Sequence, residues 1–262
     1  MAGFIYKLQQ IVNSSPFNDD ADVAIARCLL KNINQVTKKT NLQNFADICY
    51  TSPASISCFS QRTGYLTFND FKADCLGVKD ELDEMIIDTH ALQTLEFKNF
   101  YDEISNGLST IDEDQLNKQI DQLCHMINQA SRIFIFATHI PGDIACMLQR
   151  ALLTTGKYVE FFPRKEHQME IVKEIRSNDL CIFISLEGTL LMEKGITVPA
   201  IVSLAKNVLI TQNIHVKFSE SFSLVVGLGE HNNEITGKYK LLFFVDCLTN
   251  RYYQKYVVTN LK

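Results

Sequence analysis

Three places in the chain gather side chains able to do chemistry. Two are loops, Ala137-Thr138-His139-Ile140-Pro141-Gly142-Asp143 and Ser185-Leu186-Glu187-Gly188-Thr189-Leu190. Each follows a short apolar run, the setting in which a parallel strand hands over to a helix whose N-terminus favours an anion. Thr138, His139, Ser185, Gly188 and Thr189 thus stand on loops where an anionic ligand is expected to sit. Glu187 or His139 could also serve as a base that abstracts a proton beside a carbonyl, the chemistry of an isomerase. No second group completes such a constellation, so an enzyme is not expected. The third place is a short polar stretch near the N-terminus, where Ser52, Ser55, Ser57, Ser60, Gln61 and Arg62 share one predicted helix. Small hydroxyls suit phosphate or base contacts, glutamine can read adenine, and Arg62 brings the charge.

The elements that must position these groups follow from periodicity and turn chemistry. Phe4, Ile5, Leu8, Ile11 and Val12 form one helical stripe, closed by Ser14-Ser15-Pro16. A second helix opens at Asn18-Asp19-Asp20 and carries Val23, Ile25, Ala26, Leu29, Leu30 and Ile33. Two shorter helices with a tight connection follow, over about 42–49 and 52–63. In the second of these Ser52 is a natural N-cap, Pro53 fits the first helical position and Gly64 ends the helix. The buried positions of the pair are expected to be Leu42, Phe45, Ala46, Ile48, Cys49, Ile56 and Phe59, and Phe68, Phe71 and Leu76 face inward from a last helix. Residues 78–106 are acidic and helical in pattern, through Leu82, Met85, Ile86, His90, Leu92 and Leu95, and read as a stiff connector.

Beyond the connector the rhythm changes to alternating strands and helices. Helices are predicted over 112–131, 143–155, 166–176 and 238–256, and strands over 132–137, 158–162, 180–185, 207–211 and 222–227; residues 186–206 read as loop. Runs such as IFIFA and LCIFIS are apolar throughout, as expected when both faces of a parallel sheet are covered. The fold class is thus α + α/β. An all-α helix-turn-helix domain (1–77) and a connector (78–106) precede a doubly wound α/β domain with a parallel sheet (107–262).

Composition narrows the function. The chain has 262 residues, 46% hydrophobic and 21% charged, which is the profile of a globular protein with ample core. Its net charge of −5 is uneven: residues 1–77 carry seven Lys/Arg and six Asp, a formal +1, and the remainder is −6. The N-terminal part can approach a phosphate backbone that would repel the rest. No apolar run is long enough to cross a bilayer and no secretion signal is present, so a cytoplasmic protein without membrane association is expected. The eight cysteines and six histidines are scattered, with no CxxC and no ligand spacing. They predict buried thiols, no metal and no cofactor.

The stretch LQNFADICYTSPASISCFSQRTGYLTFNDFK, residues 42–72, resembles the N-terminal domain of the RpiR/MurR-type regulators, bacterial transcription factors that respond to sugar phosphates. The resemblance rests on the spacing of Phe59, Gly64, Tyr65, Phe68, Phe71 and Lys72, with the Ala21–Leu30 helix placed before it. It implies double-stranded DNA as partner and adds Tyr65 and Lys72 to the DNA-binding candidates. Residues 121–248 in turn look like the sugar isomerase (SIS) domain that completes this family, which implies a sugar phosphate effector and a homodimer or tetramer. Four departures stand out. Cys58 and Gln61 replace basic residues on the recognition helix, while Glu187 and Leu190 replace a serine and a threonine of the loop that holds the phosphate. They imply a recognition helix short of charge and an altered effector pocket. An isomerase-type enzyme and a dimerising protein without specific DNA binding are the alternative readings.

Overall fold

A computed structural model describes residues 4–16, 20–78, 97–216, 218–230 and 234–258. The chain divides into two compact units, Met1–Thr94 and Leu95–Lys262.

The first unit is all helical. Helices α1 (Phe4–Asn13), α2 (Ala21–Asn32), α3 (Leu42–Ile48) and α4 (Pro53–Arg62) are followed by α5 over residues 68–78. Side chains satisfy the first free amides of three of them. Asp20 accepts from the Asp22 amide, Asn41 and Asn44 form a reciprocal capping box on α3, and Ser52 accepts from the Ser55 amide at the start of α4. Gly64, at φ +94°, then turns the chain out of α4. The core is built around Phe71, whose ring lies 5.3–5.8 Å from those of Phe4, Phe45, Phe59 and Tyr65 in edge-on or tilted geometry. Phe45, Ala46, Cys49, Ile56 and Phe59 are buried as expected, while Leu42 and Ile48 are half-buried.

The expected connector lies largely outside the described residues, which resume at Phe97. From there α6 (Phe97–Ser109) belongs to the second unit, where Phe100 packs on Tyr239 and Gly107 meets Thr236. The order continues α7 (Glu113–Gln129), β1 (Ile133–Ala137), α8 (His139–Thr154), β2 (Glu160–Phe161), α9 (Lys165–Ile171) and β3 (Leu180–Ile184). Then come α10 (Lys194–Val202), β4 (Lys206–Thr211), β5 (Leu224–Gly227) and α11 (Glu234–Tyr252). The sheet is parallel, in the order β2-β1-β3-β4-β5. Strand alternation sends Ile133, Ile135, Ile182, Ile184, Val208 and Ile210 into one core and Phe134, Phe136, Phe183 and Leu209 into the other. The expected α + α/β class is the observed one.

Three local expectations are corrected. Helix α8 begins at His139 rather than at residue 143, because Pro141 falls in the first turn, where a missing amide hydrogen leaves no intrahelical bond unmade. Residues 194–202 form α10 rather than loop; Gly195 and Pro199 obscured its pattern, and burial of Ile196, Thr197 and Ala200 holds it. Strand β2 shrinks to two residues at the sheet edge. All eight cysteines are free thiols, and no group of side chains able to hold a metal ion is present among the described residues. None of the described helices is long and apolar enough to cross a membrane.

Candidate functional site

The helix pair α3–α4 presents one outward surface. Its turn passes through Tyr50, which adopts φ +53° and is 92% exposed. Ser52, Ala54, Cys58, Gln61 and Arg62 are exposed and Ser55 and Ser57 half-buried, so the polar row expected from the sequence does line one side of α4. Ser60 is the exception. It is buried and donates its hydroxyl to the Ser57 carbonyl at 2.8 Å, a bond within its own helix turn that removes it from the rim. Tyr50 and Ala54 were not singled out from sequence; the turn between the two helices was the signal that could have found Tyr50.

Several candidates have structural partners. Ser52 Oγ accepts from the Ser55 amide at 3.1 Å and lies 2.8 Å from the Ser55 hydroxyl. Arg62 grips Asp22 of α2 with two donors, Nε at 2.7 Å from Oδ2 and a terminal nitrogen on Oδ1. The Tyr65 hydroxyl donates to Asp74 at 2.6 Å, and Lys72 Nζ donates to the carbonyls of Lys38 and Thr40, each at 2.8 Å. Lys7, from α1, donates to the Thr63 carbonyl at 2.9 Å and stands 4.9 Å from the Tyr65 ring centroid, which brings a cation to the end of α4 that sequence spacing did not associate with it.

Cys58 is the one cysteine of the eight that is exposed. Burial pushes the Cys49, Cys124 and Cys181 thiols up to about 12 and raises Cys75 as well. Since the thiolate is the nucleophile, iodoacetamide under native conditions is expected to label Cys58 first, as read by peptide mass spectrometry. Labelling of the four buried thiols at the same rate would contradict this placement.

The second candidate region lies at the C-terminal ends of the strands. Ala137 pairs with Ile184, so the loops after β1 and β3 leave the sheet side by side. Thr138 is the N-cap residue of α8, half-buried, with no capping bond from its side chain, and His139 is exposed at φ +57°. Ser185 is buried and its Oγ accepts from the Leu190 amide at 3.1 Å. Gly188 takes the left-handed conformation at φ +83°, while Thr189 points to solvent. Leu190 joins the core with Leu191, Phe183 and Phe222. The tight turn thus gathers Ser185, Glu187 and Gly188 and turns Thr189 away.

Charge at this turn comes from other elements. The Glu187 carboxylate accepts from Nε2 of Gln212, at the end of β4. Gln212 is 2% exposed, and its Oε1 is a buried acceptor with no hydrogen-bond partner among the described residues. Lys240 of α11 is fully buried, and its Nζ donates to the Glu230 carbonyl at 2.5 Å. Burial holds its pKa below the usual lysine range, against the opposing pull of Glu230 and Glu187. Neither Gln212 nor Lys240 was identified from sequence. The spacing of Lys240 with Phe244 and Leu248, both buried one and two turns on, is the signal that marks it as inward-facing.

No family model matches the chain. Among curated proteins it is similar to an HTH-type transcriptional regulator of Providencia stuartii, 23% identical over 196 residues, covering 72% of this chain and 67% of that protein. A second HTH-type transcriptional regulator, from Haemophilus influenzae, is 22% identical over 171 residues, covering 63% of this chain and 59% of the other. The chain thus spans about two thirds or less of these relatives' length. Among solved structures, the Vibrio vulnificus NanR protein complexed with ManNAc-6P superposes with a TM-score of 0.51 at 18% identity, covering 95% of this chain and 92% of that one. The sugar isomerase domain of an RpiR transcription factor from Sphaerobacter thermophilus gives 0.50 at 14% identity, over 61% of this chain and 88% of that domain. These likenesses are of fold.

Proposed function

We propose that the chain is a DNA-binding transcriptional regulator that reads duplex DNA with α4 and responds to a sugar phosphate held where β1 and β3 end. The observation that carries this reading is the α3–α4 pair, with its capped second helix and its exposed row of Ser52, Cys58, Gln61 and Arg62. Such a pair braces a helix whose N-terminal half enters the major groove. The HTH-type regulators among the chain's relatives support it. A two-fold operator calls for two such helices about one DNA turn apart, so the working form is a homodimer or a tetramer. The α/β unit acts as sensor rather than isomerase. Glu187, the carboxylate best placed to act as a base, is bonded to Gln212, and no second catalytic group accompanies it among the described residues.

The salt dependence of binding to the DNA upstream of the chain's own gene tests the reading. Each phosphate contact contributes about −0.9 to the slope of log K against log salt. Arg62→Ala is expected to flatten that slope by about one such contact. Asp22→Asn frees Arg62 from its grip on α2 and is expected to tighten binding several-fold at low salt. If wild-type binding had no salt dependence, or if neither substitution altered it, α4 would not be the DNA-reading element.

A further inference from the structure

We propose that Glu187 is a resident anion: its carboxylate, held by the buried Gln212, fills the negative-charge site of the β3 turn, and a phosphorylated effector binds by displacing it. The proposal rests on the sensor reading above and specifies how that site is regulated.

Three observations converge. A fully buried ammonium calls for compensating negative charge or hydrogen bonds, because water no longer solvates it. Among the described residues Lys240 Nζ donates to the Glu230 carbonyl, and Glu187 is one of the two carboxylates whose charge acts on it. Next, Gln212 bridges the β3 turn and α11. Its Nε2 donates to Glu187, and its side-chain oxygen and nitrogen lie 3.0 and 3.1 Å from where a Cβ on Gly237 would stand, one helical turn before Lys240. Finally, Gln212 Oε1 is a buried acceptor that no donor among the described residues reaches. A carboxylate cannot supply a donor, whereas a sugar hydroxyl can. The cluster therefore satisfies an anion with its own glutamate and leaves one acceptor that suits a polyhydroxyl ligand.

A phosphate dianion entering beside Glu187 would meet like charge. With the carboxylate swung out, the dianion takes over the Gln212 amide and the Lys240 ammonium, and a neighbouring hydroxyl donates to Gln212 Oε1. Glu187 is thus an internal competitor that sets the effector concentration at which the regulator responds.

The full-length wild type, Glu187→Gln and the double variant Glu187→Gln/Lys240→Met are titrated calorimetrically with ManNAc-6P, with inorganic phosphate and with the unphosphorylated sugar, and melted with and without each. Removing the competitor is expected to tighten both phosphate-bearing probes at least tenfold, to leave the unphosphorylated sugar unchanged, and to give Glu187→Gln a larger phosphate-dependent rise in Tm than the wild type. The double variant is expected to lose the gain. If the double variant does not fold, the Tm comparison between wild type and Glu187→Gln decides alone. Equal or weaker binding by Glu187→Gln, a gain that survives loss of Lys240, or no binding of either phosphate probe by any protein would overturn the proposal. Operator binding by the wild type, measured on the same samples, reports separately on the regulator reading.

Discussion

Phe71→Ala is expected to abolish operator binding without touching a single DNA-facing residue. Phe71 is fully buried, and its ring packs against Phe4, Phe45, Phe59 and Tyr65, from four separate segments of the helical unit. Truncating a buried phenylalanine to alanine typically costs about 3–5 kcal/mol, the sum of lost transfer energy and the cavity left behind. A unit of this size has a total stability of roughly 4–11 kcal/mol, so the substitution consumes a large share of it. The segments around Phe71 include α3, through Phe45, and α4, through Phe59, the two helices whose mutual placement forms the proposed recognition surface. Thermal melts by circular dichroism are expected to show the helical unit's transition lowered by tens of degrees or lost. The transition of the α/β unit, which has its own cores, should remain. A variant that kept wild-type DNA affinity and an unchanged melt would mean that the aromatic cluster does not organise the pair.

The second large effect is expected at Gly188, where two independent costs meet. At φ +83° an L-residue pays about 1–2 kcal/mol that glycine avoids. A Cβ added there would also overlap Val216 Cγ1 and come within 3.0 Å of Val216 Cβ, a short side chain with little room to yield. Overpacking of this kind costs about 1–3 kcal/mol. Gly188→Ala is therefore expected to lower the α/β unit's melting temperature by several degrees or more and to disturb the turn that carries Glu187. Val216→Ala in the same chain separates the two costs, because it removes the overlap and leaves the backbone strain. The double variant should regain part of the lost stability, more than additivity of the two single changes would give. If Val216→Ala restored nothing, the contact with Val216 would not be what confines the turn.

Much of this architecture is legible in the sequence because it is locally encoded. The stripe Phe4, Leu8, Ile11, the cap Ser52 with Pro53, and the turn at Gly64 each act over one or two helical turns, so residue order alone predicts them. The apolar runs at residues 133–137 and 180–184 likewise announce strands covered on both faces. The polar row of α4 was legible for the same reason, since helical spacing decides which residues share a face. Where local rules were in conflict, the tertiary structure prevailed: α10 forms around Pro199 because Ile196 and Ala200 have a sheet face to cover.

What only the tertiary structure decided is which charges meet. Arg62 is the one cation of the recognition helix, but its partner Asp22 lies 40 residues earlier on another helix, and no spacing rule connects them. Lys72 and Tyr65 occupy the positions implied by the resemblance, yet their polar atoms are bonded to Lys38, Thr40 and Asp74. At the β3 turn the sequence marked Glu187 as out of place beside a phosphate. That Gln212 receives it there follows from strand order, which sets β4 beside β3, while helix packing turns Lys240 inward on α11. Periodicity specifies the face a side chain occupies, because that is fixed by backbone geometry. The group it faces across the core is fixed by topology, and the strength of an electrostatic contact depends on that distance and on the water excluded around it.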